Sequence, residues 1–322
     1  MAYSVNLTEL NSALGAYCRE NKADIFSSLV LDHRFEERFQ VLDGITDETP
    51  LTTMSITDIV KPAKADTFAP TTDGIKFTPR TLKVRGMKVD LKIVPQELYN
   101  TWLGMNKKKG RADTGYMPYE QFIVQYIIKK ARENVHLKAI YKGIYNSAGT
   151  TSADTLDGVL KIVTDEITAT NISAGNNNLV TTTAITSVNV IDKLELVYDK
   201  LGEAAKDTDT VMFVNPQIFT WYQRAYRVAY GSNLDYTGMT AGRSLMLDGT
   251  MCKLISEPGL GTSQRILCGT PDVFVMGTDS ADDANQIEIE KEKRWLNIMM
   301  DFAFGIQLRE IGNGVFVTNE QA

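Results

Sequence analysis

Nucleophilic, metal-dependent or acid–base chemistry would have to be built from a sparse stock of residues. The chain has two histidines, His33 and His136, and three cysteines, Cys18, Cys252 and Cys268. Both histidines fall in segments of helical periodicity and read as ordinary packed or surface residues; neither an HExxH pair nor a histidine cluster can be drawn. Zinc held by Cys252, Cys268 and one histidine would need a spatial convergence that no spacing announces. No CxxC pair occurs and the cysteine count is odd, which fits free thiols in a reducing compartment better than a disulfide framework. GLGTSQ around Gly259 lacks the third glycine and following helix of a dinucleotide loop, and no Walker sequence or GxSxG elbow is present. DSADDANQIEIE sets Asp279, Asp283, Asn285 and Glu290 at positions one, five, seven and twelve of a calcium loop. Ala281 stands at position three, however, and Ala284 stands where glycine is required, so an acidic surface turn is the better reading. No spacing among the 40 acidic residues selects a carboxylate pair. The expectation is a protein with no catalytic residue, no cofactor and no metal, and an enzyme with a site assembled from scattered residues is the contrary reading.

The bulk properties narrow the class further. With 322 residues and 43% hydrophobic content, the chain can bury a substantial core as one elaborate domain or two to three smaller ones. The net charge of −6 does not by itself attract nucleic acid, so any such contact would be local. The opening MAYSVNLTELNSALG has no basic region followed by an apolar core, and no run of about 18 apolar residues occurs. Secretion and membrane spanning are therefore not expected, and cytoplasm-like conditions are.

The elements follow from periodicity. Asn6 and Glu9 are spaced as a capping box, and DIFSSLVLDHRFEERFQVL continues with helical spacing, which predicts two short helices in the first forty residues. Residues 46–73 are proline-bearing and without sustained period, as in an extended arm that needs a surface to lie on. GIKFTPRTLKVRGMKVDLKIVP, residues 74–95, alternates with a phase shift at Gly86, which predicts a long hairpin or a bulged strand pair. YEQFIVQYIIKKARENVHLKAIYKGIYN predicts a helix over about 119–146, entered at Pro118 and about 40 Å long, which would act as a beam. Polar sequence leads to a helix over about 187–205, then a strand TVMFV, an Asn215-Pro216 stop and a helix PQIFTWYQRAYRVA. Phe219, Tyr222, Tyr226 and Tyr230 recur at helical spacing, which reads as a packing face rather than a binding site. Strands near MCKLIS, QRILCG and DVFVMG precede IEIEKE, LNIMMDFAFGIQLRE and GVFVTN, so the fold class is α+β with a strand-rich C-terminal end.

Two basic clusters stand out on this acidic chain. Lys76, Arg80, Lys83, Arg85, Lys88 and Lys92 crowd residues 76–92 against the single acid Asp90. Such a strip is either a solvated, edge-protecting face or a contact surface for another subunit. Lys107, Lys108, Lys109 and Arg111 in NKKKGR form either a solvated loop or a contact for DNA or a scaffold protein.

The order of elements resembles the major capsid proteins of tailed bacteriophages, the Hong Kong ninety-seven-like capsid fold. FTPRTLKVRGMKVDLKIVPQELY matches the family's extended loop and its return. YEQFIVQYIIKKARENVHLKAIYKG matches the spine helix, and VIDKLELVYDKL with VMFVNPQIFTWYQRA the axial domain. LDGTMCKLISEPGLG, RILCGTPDVFVMG and DFAFGIQLREIGNGVFV match the returning strands. The resemblance implies an N-terminal arm over 1–60, an extended β-hairpin loop over 61–95, and a peripheral domain with the spine helix over 96–165. An axial domain over 166–280 and returning strands over 281–322 complete it. It also implies a structural virion protein of the capsid, assembled in the bacterial host cytoplasm from hexamers and pentamers of itself, around non-specifically held double-stranded DNA. Portal, scaffold and cement proteins would be its partners, with no membrane. The stretch ahead of residue 74 leaves little room for a large scaffolding segment, so a separate scaffold or the arm itself would guide assembly. An encapsulin-like bacterial compartment enclosing a cargo enzyme is the alternative with the same fold.

Overall fold

A computed structural model describes residues 7–21, 38–56, 60, 75–94, 97, 119–230, 244–279, 286–312 and 314–321. The α-helices in chain order are α1 (Leu7–Glu20), α2 (Tyr119–Asn134), α3 (Val159–Thr168), α4 (Val190–Asp199), α5 (Glu203–Lys206) and α6 (Pro216–Tyr230). The strands begin with β1 (Gln40–Leu42), β2 (Glu48–Ile56), β3 (Ile75–Lys83), β4 (Arg85–Ile93), β5 (Leu179–Val180) and β6 (Thr210–Val214). They continue with β7 (Ser244–Met246), β8 (Cys252–Ser256), β9 (Leu267–Gly269), β10 (Phe274–Thr278), β11 (Gln286–Glu292), β12 (Trp295–Leu308) and β13 (Phe316–Asn319). The mixture of helix and sheet agrees with the α+β expectation. The chain divides into one compact unit of Met1–Asp47, Val84–Leu156 and Met276–Gly305 and a second of Glu48–Lys83, Asp157–Val275 and Ile306–Ala322.

In the first unit, β12 pairs with β11 and, antiparallel, with β4, and the sheet path continues through β10 to β1. Alternation sets its two faces: Leu296, Ile298, Met300 and Phe302 are buried, while Asp301 is exposed. Helices α1 and α2 cover the buried face, with Leu14, Cys18, Val124 and Ile127 meeting Ile287, Ile289, Ile298 and Met300 around one small space. Along α2, Ile123, Ile127 and Ala131 recur every fourth residue and are all buried, and Val135 just after it continues the row.

The beam predicted over about 119–146 is shorter than that. After Asn134 the helix widens into a π-turn, Val135–Ala139, and then folds back. Ile144 donates its N–H to Ala153 O (2.8 Å) and Asn146 to Asp154 O (2.9 Å), so these residues bond to the 3-10 turn Ser152–Asp154 instead of prolonging the helix. Gly143 makes this possible, because a Cβ there would lie 2.4 Å from Leu156 O and 2.5 Å from Ala139 O. Periodicity alone could not foresee that close approach of two backbone segments.

Residues 74–95 also differ from expectation. They do not pair with one another: β3 pairs with β2 through nine rungs from Glu48↔Lys83 to Ile56↔Ile75, while β4 joins β12. The hairpin is thus made of Glu48–Ile56 and Ile75–Lys83, and part of the segment read as an arm is its first strand. The chain leaves one sheet for another at Val84, whose N–H donates to Asp47 O at 2.7 Å, two residues before the phase shift read at Gly86, which lies within β4 opposite Ala303.

The core of the second unit is a six-stranded sheet in the order β5-β13-β9-β6-β8-β7, with β6 parallel to β8 and antiparallel to β9. All five residues of β6 are buried, as the TVMFV run predicts. Val190, Leu194 and Val197 of α4 and Ile218, Phe219 and Tyr222 of α6 pack with Met212, Val214, Leu254 and Val317 of the sheet. Asn215 ends β6 and opens α6: its Oδ1 accepts the Ile218 N–H (2.7 Å), its Nδ2 donates to Ser263 O (2.7 Å), and Pro216 takes the first helical position. Tyr226 stacks on Tyr222 with centroids 6.0 Å apart, so the aromatic stripe is a packing face; the Tyr230 side chain lies outside the described residues. The helix predicted over about 187–205 is broken at Leu201–Gly202, where Gly202 N–H donates to Gly314 O at 2.9 Å.

Candidate functional site

The hairpin of β2 and β3 has two unlike faces, set by its register. Thr49, Leu51, Arg80 and Leu82 share the inward face, with Leu51 and Leu82 buried. Pro50, Thr52 and Met54 share the outward face with Ile75, Phe77 and Pro79, and all six are exposed. Met54 stands opposite Phe77, and Met54, Phe77 and Ile75 are 53%, 65% and 55% exposed. An apolar rung in water on a two-stranded ribbon is unusual, because such ribbons are marginal without a packed face.

The six basic residues of the predicted strip divide between the two units, Lys76, Arg80 and Lys83 on β3 and Arg85, Lys88 and Lys92 on β4. Arg80 turns inward, where Nη2 donates to Glu166 Oε1 at 2.7 Å. Lys83 meets its cross-strand neighbour Glu48 at 3.2 Å, and Lys88 meets Asp90 at 2.7 Å. Arg85 lies over the Tyr145 ring at 4.1 Å, and Lys92 lies over Trp295 at 3.9 Å while reaching Glu292 at 3.3 Å. Only Lys76, opposite Ser55, is exposed with no ion pair among the described residues. The hydrogen bond and charge of Asp90 raise the Lys88 pKa, and hydrogen bonds from Asn297 and then Lys92 lower that of Glu292. All of these exposed pairs are worth little to subunit stability. Lys107, Lys108, Lys109 and Arg111 lie outside the described residues.

Of the described residues singled out for chemistry, the structure brings together only Cys252 and Cys268, whose thiols hydrogen-bond to one another. His136 is buried beside Tyr141 in the first unit, Cys252 and Cys268 are buried in the second, and His33 lies outside the described residues. Of the calcium-like loop, Glu290 lies on β11, Asp279 follows β10, and Asp283 and Asn285 are outside the described residues. No cluster of three metal-ligating side chains occurs among the described residues. A cavity of about 720 Å³ in the second unit is lined by Tyr198, Tyr222, Tyr226, Asp248 and Lys253 among others. Its Tyr222 hydroxyl accepts the Asp248 N–H at 3.1 Å, and burial raises the phenol pKa to about 12, far from a working acid or base near neutrality.

Comparison with solved structures decides the fold. The chain superposes on a chain of the satellite phage P4 procapsid, whose structure includes the size-determination protein, with a TM-score of 0.55, 12% identity, and coverage of 100% of this chain and 92% of that one. A chain from Mycobacterium phage Ogopogo matches with a TM-score of 0.50 at 11% identity, covering 88% of this chain and 90% of that one. This is a tailed-phage capsid-protein fold. No protein-family model and no curated protein matches the chain by sequence. No helix of the described residues is long and apolar enough to cross a membrane. Among the described residues, the ribbon of β2 and β3 carries the solvent-facing Met54–Phe77 rung. Sequence reasoning named the basic residues of β3 and missed Met54, Ile75 and Phe77. The alternation of ETPLTTMSI was the available signal, obscured by its proline and threonines.

Proposed function

We propose that the chain is a major capsid subunit of the Hong Kong ninety-seven-like type, assembling as hexamers and pentamers into an icosahedral shell around double-stranded DNA in the host cytoplasm. The outward apolar rung of the hairpin carries this reading, since a shell of identical subunits needs wide, thin contacts that each copy both offers and receives. In this assignment Glu48–Lys83 is the extended loop, the unit containing α2 as spine helix is the peripheral domain, and the unit built on β6 is the axial domain. Portal, scaffold and cement proteins are the expected partners. The cluster Lys107, Lys108, Lys109 and Arg111 is assigned to contact with DNA or scaffold, by charge alone.

Negative-stain imaging and sedimentation of the expressed chain test the reading: closed particles are expected, and a stable monomer would overturn it. In infected cells the particles should be DNA-filled and tailed; an empty or cargo-filled shell would favour the encapsulin-like alternative instead.

The exposed basic residues give a second check, because charge across such contacts fixes register more than it adds affinity. Exchange of Lys76, Lys83 and Lys88 together for glutamate is expected to lower particle yield severalfold, with the thermal midpoint of the subunit little changed. Particles at unchanged yield would remove these residues from the contact.

A further inference from the structure

The hydrogen bonds that tie β3 to the rest of its own unit gather, among the described residues, at one point along the hairpin. Arg80 Nε donates to Leu308 O at 2.6 Å, while its Nη2 donates to Glu166 Oε1 at 2.7 Å and to Gln307 Oε1 at 3.3 Å. Gln307 Nε2 donates in turn to Thr81 O at 2.9 Å, and Glu166 Oε2 accepts from Asn171 Nδ2 at 2.7 Å. The side chains of Arg80 and Glu166 are 11% and 18% exposed, so the pair is largely screened from water. One planar guanidinium thus serves a helix end, a strand-end carbonyl and a side-chain amide at once, a task its fixed fork of donors suits and a lysine ammonium does not.

Beyond Arg80 the inward face changes character. Leu51 and Leu82 are buried on the near side, whereas Thr53, Ser55 and Thr78 overlie a polar cavity of about 560 Å³ that Asn171, Asn176 and Asn178 also line. The far half of the hairpin, which carries Met54, Ile75 and Phe77, therefore has little packed support of its own. Ile75 lies five residue steps along the strand from Arg80, about 17 Å of lever at the strand rise. A rotation of about 15° at Arg80 would move that end by about 4 Å, close to one strand-to-strand spacing.

We propose that the Arg80–Glu166 pair is a latch that sets the direction in which the hairpin leaves its unit, and so places the Met54–Phe77 rung for a second copy of the chain. Arg80 is a positioning residue here, acting on the contact through the hairpin. The inference rests on the self-assembly reading, and the experiment separates the two.

Hydrogen exchange on full-length subunits of Arg80→Ala, Arg80→Lys and Glu166→Gln is followed by imaging and sedimentation of assembled material. Amides of β2 and β3 should exchange at least about tenfold faster in Arg80→Ala, equivalent to about 1.4 kcal/mol of lost protection, while those of β6 keep theirs. Arg80→Lys keeps the charge and loses the fork, and should show the same local loosening with particles fewer or more varied in size. Unchanged hairpin protection would overturn the latch, as would a loosened hairpin that still yields particles of wild-type size and number. Should Arg80→Ala fail to fold, Arg80→Lys and Glu166→Gln carry the same comparison. If the wild-type chain forms no particles, the assembly reading fails, and the exchange data alone still decide whether Arg80 holds the hairpin.

Discussion

Replacing Met54 and Phe77 together by aspartate is expected to abolish particle formation while leaving the subunit folded. Both side chains are more than half exposed and face away from the core of their unit, so the folded subunit loses little by their removal. Burial against a second copy would be worth about 2 kcal/mol for each of them. The substitution removes that gain and forces two carboxylates into an apolar contact, at a cost of several kcal/mol more unless they are paired. A closed shell repeats the contact in every subunit, so the penalty recurs with each copy added. Sedimentation velocity should show subunits or small oligomers only, and thermal unfolding should shift by a few degrees at most. Wild-type particle yield from the double variant would remove the hairpin face from the assembly surface.

Phe213→Ala is expected to destabilise the second unit by about 4 kcal/mol, the cost typical of emptying a buried phenylalanine site. Phe213 is fully buried on β6, in the interior of the six-stranded sheet. Its ring meets Phe274 edge-on at 4.9 Å and 90°, and Phe274 meets Phe316 at 6.1 Å. Truncation leaves a ring-sized void between strands that are hydrogen-bonded on both sides, so the backbone has little freedom to close it. Against a usual total of about 5–15 kcal/mol, that loss is a large share of the whole. Urea unfolding should show a lowered midpoint with little change in slope. Val228→Ala, at a side chain 86% exposed on α6, should stay within about 0.5 kcal/mol and serves as the control. A Phe213→Ala midpoint equal to that control would mean that the aromatic cluster is not the support of the sheet.

Elements whose signal lies within a few neighbouring residues are legible in the sequence. The buried β6, the Asn215-Pro216 boundary and the packing stripe of α6 stand where periodicity and capping chemistry put them. The central part of α2 and the C-terminal strands do likewise, and their order along the chain carried the resemblance to capsid proteins. Less of the candidate site could be read: the basic residues on β3 and β4 were visible, but their partners were not.

The reason is the reach of the interactions concerned. Alternation and 3.6-residue spacing follow from where successive Cβ atoms point, which is decided residue by residue. That is why helices, strands and their apolar faces are written in the chain itself. A strand's partner is decided by non-local pairing: β3 could have turned back on β4, and instead joins β2 while β4 joins β12, more than two hundred residues further on. Likewise Arg80 reads as one charge among six until folding brings Glu166 and the Leu308 carbonyl within 3 Å of its guanidinium. The tertiary structure alone turned a basic strip into an anchored arm with an apolar outer face, because contacts between residues far apart in sequence leave no local trace.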